Sequence, residues 1–454
     1  MLSFTAMRTV FLETYGCQMN VADSEVMAGV LERAGMSLVD DPEDADAVVL
    51  NTCAIREHAE QRVLGRLGQL ERLKQANPRL IVGVAGCMAQ HMRKRLLDGH
   101  SRILDLVVGP DGYRNLPELL KRAAGEPVSE LRLDRDETYG DLEPKREAGI
   151  RAWVTVQRGC DKFCTYCVVP YTRGRERSLT LIELVQQVRT AVSQGFREIV
   201  YLGQTVNSYR DGEHDFADLL RATQDIDGVL RIRYTSPHPS DMTQRVIDAM
   251  AECSKVCPQV HLPLQSASDK MLQAMNRTYD MARYRDVVAA IRGTIPGVAL
   301  STDVIVGFPG ETDADYALTV EYMREERFDA AFLFKYSARP DTKAFSWPET
   351  VSEPEKSYRL ARLIELQQEC AAQRNDEWLG RDVEVLVEGT ARKRPDQLYG
   401  RTPQFKAVVF PDDGSAAGTL RTVRVVGTTS NTLIAAPVPL AAERMAAPRL
   451  LSIG

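Results

Sequence analysis

The 454-residue sequence contains no run of about 18 apolar residues, the length a helix needs to cross a bilayer, so no membrane span is expected. Its start, Met1-Leu2-Ser3-Phe4-Thr5-Ala6, lacks the basic-then-apolar layout of a secretion signal. No disulfide framework is visible either. The nine cysteines are an odd number scattered over a long chain, which favours metal ligation in a reducing, cytoplasmic setting. Positive charge is not in excess: the formal net charge of −6 argues against indiscriminate coating of nucleic acid and leaves only local basic faces to consider. A second C-x2-C pair, the usual completion of a zinc loop, is also missing.

What is present is an ordinary globular composition, 44% apolar and 26% charged, long enough for about three domains. Its densest chemical signal is Arg158-Gly159-Cys160-Asp161-Lys162-Phe163-Cys164-Thr165-Tyr166-Cys167. Thiolates are soft anionic ligands, and three in one tight loop suit an iron–sulfur cluster. Three ligands on a four-iron cube leave one iron open to bind a small molecule. A zinc ion with a fourth ligand from elsewhere is the competing reading.

The first domain, residues 1–143, repeats one grammar. Thr9–Glu13 reads as a strand followed by Gly16-Cys17, then a helix capped at Asn20 with the apolar stripe Val26, Met27, Val30 and Leu31. Ala47–Asn51 is a buried-type strand ending at Cys53, with a helix from about Glu57. Leu80–Val84 ends at Cys87, with a helix from about Ala89, and Leu104–Val108 is a fourth strand. Alternation of strand and helix implies a parallel, Rossmann-like sheet, whose strand C-termini share one edge where ligands sit. That topology gathers Cys17, Cys53 and Cys87. Each alone is most simply a buried small residue; three at equivalent positions suggest a second cluster site with an open iron. Cys370 falls in a helical stripe and reads as core. Residues 125–145, charged and poor in hydrophobes, read as a linker.

From Trp153 the alternation resumes, over residues 150–375. Trp153–Gln157, Glu198–Leu202, Arg231–Thr235, Gln259–Leu264, Val298–Val306 and Asp329–Tyr336 are expected strands, and Thr180 with Glu183 forms a capping box. Six βα units fall short of the eight of a closed barrel and predict a partial (βα)6 barrel open to a large substrate. Polar residues at the strand ends, among them Gln204, Asn207, Ser236 and Gln265, lie on the same rim as the cysteine loop. Asp303 lies within a strand and could point into the barrel, and His261 reads as a hydrogen-bonded core residue. Arg173, Arg175 and Arg177 follow the loop closely and suit phosphate contacts, with a solvated charged loop as the plain alternative. In residues 380–440 the period changes to two. Val383–Glu388, Lys406–Phe410 and Leu420–Val426 read as antiparallel strands of a small barrel carrying net positive charge. With Tyr399, Arg401, Phe405 and Lys406 it could hold RNA by phosphate contact and stacking, or serve as a packing module.

The three-cysteine loop resembles that of the radical S-adenosylmethionine (SAM) superfamily. With Tyr15-Gly16-Cys17-Gln18-Met19-Asn20, Asn51-Thr52-Cys53-Ala54-Ile55-Arg56-Glu57, Gly86-Cys87-Met88-Ala89-Gln90 and Val168-Val169-Pro170-Tyr171-Thr172-Arg173-Gly174, nearly the whole chain resembles the radical SAM methylthiotransferases of the MiaB type. Tyr399-Gly400-Arg401-Thr402 resembles a TRAM domain, the tRNA-binding module of that family. The resemblance implies two [4Fe-4S] clusters, on Cys160, Cys164 and Cys167 and on Cys17, Cys53 and Cys87. It implies SAM held around Tyr166, Gln204, Asn207, Ser236, Gln265 and Asp303. It implies a tRNA substrate modified at C2 of N6-dimethylallyladenosine 37, beside the anticodon, with an external low-potential electron donor and a monomeric enzyme. Sister branches, acting on threonylcarbamoyladenosine in tRNA or on a ribosomal protein, differ at the Gly-Cys-Gln-Met-Asn motif and rank second. Two departures from the family pattern are Thr205, where Asn is usual, and Ala267, where Gly is usual.

Overall fold

The computed structural model describes residues 8–438 except 55–56, 94, 97–98 and 100–101, and no side chains for 57–59. Ile55 and Arg56 of the second cysteine motif, and residues 439–440 of the expected tail domain, therefore lie outside the described residues.

Most residues that the first unit buries lie on the strands of one parallel sheet or the helices laid over it. In chain order the strands are β1 (Thr9–Tyr15), β2 (Ser37–Leu38), β3 (Ala47–Thr52), β4 (Ile81–Gly86), β5 (Leu106–Val108) and β6 (Val128–Glu130). They form one sheet in the order β2-β1-β3-β4-β5-β6, with every neighbouring pair parallel. β3 and β4 are buried at all positions, as expected for strands covered by helices on both faces. Helices α1 (Gln18–Arg33), α2 (Glu57–Ala76) and α3 (Cys87–Met92) follow β1, β3 and β4. The α1 cap is Cys17 rather than Asn20. Asn20 is the third helical residue and closes a capping box back to Cys17, because the strand hands directly to the helix without an intervening turn.

The stretch expected as a linker is instead part of this unit. β6 pairs with β5, Tyr139 is buried and stacks on Tyr113 at 5.7 Å, and Leu142 is buried. Three well-placed apolar residues and an Arg114 clamp onto Glu137 and Asp141 anchor a segment that composition alone marks as free.

The second unit holds six parallel strands in two runs. β7 (Arg151–Thr155) pairs with β10 (Glu198–Leu202), which pairs with β13 (Arg231–Tyr234). β14 (Gln259–His261), β15 (Ala299–Val306) and β16 (Ala330–Lys335) make the other run. A bridge from Ile232 to Val256 joins the runs, giving the expected six-unit partial barrel. Short pairs β8 (Gln157–Arg158) with β9 (Arg177–Ser178), and β11 (Arg210–Asp211) with β12 (His214–Asp215), decorate its upper end. Thr180 and Glu183 form the expected capping box. Cys253 and Cys370 lie in the apolar core, as expected for the latter.

The tail is a closed barrel of β17 (Asp382–Ala391), β18 (Arg394–Arg401), β19 (Ala407–Pro411), β20 (Leu420–Thr428) and β21 (Thr432–Pro437). It is not wholly antiparallel, since β19 and β21 run parallel, which lets five strands close the ring. Its loop after β18 reaches under the larger barrel. Arg231 donates to the Arg401 carbonyl at 2.6 Å, Arg233 donates to the carbonyls of Thr402 at 2.9 Å and Pro403 at 2.8 Å, and Lys406 pairs with Asp329 at 2.7 Å. Arg231 and Asp329 lie at or just before the N-terminal ends of β13 and β16, and Arg233 also binds Glu198, the first residue of β10, so this loop sits at the lower end of the barrel. Replacing Lys406 by Met would leave the Asp329 carboxylate and Asn375 amide without their cation. A loss of about 1–3 kcal/mol is expected, read as a lower urea midpoint for the whole chain.

Candidate active site

Three strands of the first sheet end on one edge, and each hands its chain to a cysteine. Cys17 caps α1, Cys53 follows β3 with its N–H bonded to the Tyr15 carbonyl at 3.0 Å, and Cys87 opens α3. The side chains of Cys17 and Cys53 hydrogen-bond. That bond, opposed by burial and helped by nearby Arg173, brings the Cys17 thiol down to about 6. Burial raises the Cys87 thiol, against the pull of Arg173. Gly86 stands between the strand ends at φ +92°, and a Cβ there would meet the Thr52 carbonyl oxygen at 2.6 Å and Asn51 Oδ1 at 2.4 Å. Gly86→Ala should therefore push β3 and β4 apart where Cys53 and Cys87 leave them, at about 1–3 kcal/mol. The expected result is iron loss confined to this site, measured as iron per chain.

The other trio sits on the loop that leaves β8 at the upper end of the larger barrel. Gly159, at φ +78°, lies so close to the Arg175 carbonyl that only glycine fits. The Cys160 N–H bonds the Gly174 carbonyl at 3.1 Å, and its sulfur lies 3.3 Å from the Thr205 hydroxyl. Arg277 Nη1 donates to Cys164 Sγ at 3.3 Å. Burial raises the Cys160 thiol and pushes that of Cys167 up to about 12. A thiol so raised needs a cation to become a thiolate ligand. Among the described residues no three His, Cys, Asp or Glu side chains converge on a point where a single ion could be held.

The two trios face each other. Val168, next to Cys167, packs against Cys87 and Ala54, and Arg173 Nε donates to Cys87 Sγ at 3.0 Å. Arg173 also binds Asp23 of α1 at 2.7 Å, and Arg158 reaches the same carboxylate at 2.9 Å while lying over the Tyr139 ring at 4.6 Å. Burial raises the Asp23 carboxyl, but Arg173 and Arg158 outweigh it and hold the group below the usual carboxylate range.

This geometry corrects the phosphate-binding expectation for two of the three loop arginines. Arg173 and Arg177 are buried, the first on Asp23 and the second in a two-pronged pair with Asp111 at 3.0 Å; Arg175 remains exposed, paired with Asp161. Sequence shows the basic run but not the acidic partners, which come from the first unit. In the tail, Lys406 is likewise committed, to Asp329 and Asn375. Arg401 lies over Phe405 at 4.2 Å and beside Glu388, partly open to solvent.

The expected rim residues do gather at the strand C-termini. Ser236 and Gln265 adopt φ of 58° and 68°, conformations rare for non-glycine residues and concentrated at ligand sites. The buried Gln204 Oε1 has no hydrogen-bond partner. Tyr166 packs edge-on to Phe308 in the core beneath the loop. Asn207 is not free for a ligand in the way expected: its amide oxygen and nitrogen bind the N–H and carbonyl of His238, at 2.7 and 3.0 Å, so it braces the rim. Asp303 does face the lumen, 3.2 Å from His261. His261 is then a lumen residue, bonded to Ser301 at 3.0 Å, rather than a core one. Asp23, Arg158 and Arg277 were not foreseen. Asp23 lies within two turns of Cys17 and Arg158 stands just before Cys160, whereas Arg277 is beside no cysteine in sequence and gives no such signal.

A strained rim, an orphaned buried acceptor and two cation-flanked thiol trios fit SAM and polynuclear iron–sulfur groups. Residues 154–323 match the radical SAM superfamily model, residues 9–109 the model described as uncharacterized protein family UPF0004, and residues 378–438 the TRAM domain. The radical SAM methyltransferase TsrM from Kitasatospora setae, solved with cobalamin and a [4Fe-4S] cluster, superposes with a TM-score of 0.58 at 16% identity, over 75% of this chain and 74% of that one. The cobalamin-dependent radical SAM enzyme OxsB superposes at 0.51 and 12%, over 80% and 56%. Fold and site together define a radical SAM enzyme. Among curated relatives, the tRNA-2-methylthio-N(6)-dimethylallyladenosine synthase of Bacteroides thetaiotaomicron is 46% identical over 435 residues, covering 94% of this chain and 95% of its own. That of Chloroherpeton thalassium is 43% identical over 431 residues, covering 94% and 95%. The chain belongs to the tRNA-2-methylthio-N(6)-dimethylallyladenosine synthase family.

Proposed function

We propose that this chain methylthiolates C2 of N6-dimethylallyladenosine at position 37 of tRNA. The observation that carries the reading is the Arg173–Cys87 contact, which ties the segment following one thiol trio to a sulfur of the other. Two clusters and SAM, when bound, supply the radical, sulfur and methyl chemistry that an unactivated C–H bond requires.

The chain's own residues prepare that cavity. Cys160, Cys164 and Cys167 hold one cluster, with Arg277 offsetting thiolate charge at Cys164. Cys17, Cys53 and Cys87 hold the second, with Arg173 in the same role. Tyr166, Gln204, Ser236, Gln265 and Asp303 surround SAM, and Asn207 keeps the His238 segment in place for them. Arg175 and Arg401 meet tRNA phosphates. The target base leaves its stack to reach the rim. The units divide at residues 1–143, 150–375 and 380–440. The enzyme works as a monomer in the cytoplasm and draws electrons from an external low-potential donor. Among the described residues no helix is long and apolar enough to cross a membrane.

The test is anaerobic incubation of the reconstituted chain with SAM, a reductant and tRNA that carries N6-dimethylallyladenosine, followed by mass spectrometry of the nucleosides. A 2-methylthio product is expected. Cleaved SAM with unmodified tRNA would overturn the reading.

A further inference from the structure

The inner wall of the larger barrel is not uniformly polar. On β15 the even residues Leu300, Thr302, Val304 and Val306 are buried towards the helices, which leaves Ser301, Asp303 and Ile305 on the lumen side. On β16 the register places Phe332 opposite Asp303 and Phe334 opposite Ile305. Ala331 and Leu333 pack into the core, so both phenylalanines face the lumen, and they are 54% and 42% exposed. Phe332 meets the lumen residue His261 edge-on at 5.7 Å. Two large exposed aromatics side by side on the lumen face of β16, the edge strand of the open barrel, mark a place that something apolar covers. The patch borders the reaction centre, because Ile305 and Tyr166 of the cysteine loop pack against the same small apolar cluster around Phe308 and Met271.

We propose that Phe332, Phe334 and Ile305 seat the apolar N6 substituent of the target adenine. The proposal rests on the function given above, and it adds how the base is selected and aimed. In adenine, C2 and the N6-bearing carbon flank N1 on one edge. Whatever fixes the N6 substituent therefore fixes the position of C2. A five-carbon alkene lodged against the phenylalanines, below the rim, turns C2 up towards the two thiol trios. The same wall discriminates. An adenine without the substituent leaves the aromatics uncovered, and one bearing a carboxylate-containing substituent brings negative charge beside Asp303, whose nearest counter-group is His261 at 3.2 Å. A hydrophobic seat separates substrates differing by a few methylenes by tenfold or more, through contacts realised where the reaction occurs.

The test uses the full reconstituted chain and two anticodon stem–loops, identical except that one carries the dimethylallyl group. Hairpin affinity is read by anisotropy in the presence of SAM, and kcat/KM by mass spectrometry. The wild type is expected to favour the prenylated hairpin in both. Phe332→Ala with Phe334→Ala should cut that preference at least tenfold, with affinity for the plain hairpin unchanged. Phe332→Leu with Phe334→Leu, which keeps an apolar wall, should retain most of it and controls for folding. An undiminished preference in the Ala variant would overturn the seat while leaving the function standing. A wild type that modifies neither hairpin would overturn both.

Discussion

Changing Cys160, Cys164 and Cys167 together to Ala should reduce 5′-deoxyadenosine formation to background, because the change removes all three thiols of that loop. The companion change, Cys17, Cys53 and Cys87 to Ala, should leave SAM cleavage running while the methylthio product disappears. Iron per chain should fall by about half in either variant if each trio holds one of two equal clusters. The pair of experiments separates the roles that facing trios would otherwise blur. SAM cleavage surviving in the first variant, or product in the second, would contradict the assignment. Arg277 and Arg173 sharpen the contrast, since each cation approaches one sulfur of a different trio, at 3.3 and 3.0 Å.

Asp23→Ala should be the most damaging single substitution outside the cysteines. Asp23 is fully buried, and its two oxygens serve Arg158 and Arg173, which are themselves buried and come from the other unit. Removing one partner of a buried pair strands the remaining charge, at about 3–5 kcal/mol, and here two guanidiniums share the loss. The expected outcome is a lower urea midpoint, with Arg173 free to drift from Cys87. A second variant, Asp23→Leu with Arg158→Met and Arg173→Met, replaces the charges by packing and should recover much of the stability. It should not recover sulfur insertion, which needs the cation. Recovery of both would make the cluster of charges a fastening only.

The parts of this molecule that sequence reveals are those set by local rules. β1, β3, β4 and β5 announce themselves by short apolar runs such as Ala47–Leu50, and the cysteines after β1, β3 and β4 fall at an edge that parallel topology defines in advance, whereas the two- and three-residue β2 and β6 carry no such run. The tail strands show by their period of two. What stayed hidden depends on partners distant in sequence. Arg173 and Arg177 look like phosphate ligands until Asp23 and Asp111, 150 and 66 residues away, meet them. Residues 125–145 look free because one tyrosine, one leucine and one valine do the anchoring. β18 has charged ends, and only the closed ring shows it to be a strand. Asn207 is polar and on the rim, as read, but which amide atoms remain available depends on the His238 backbone.

The loop of residues 401–406 beneath the barrel narrows the ways in. With that side occupied by the chain itself, a small sulfonium donor and a bulky nucleic acid are left the rim and the open flank between β7 and β16. Two visitors of such different size on one side of the molecule make their order of arrival a property that single-turnover mixing can read.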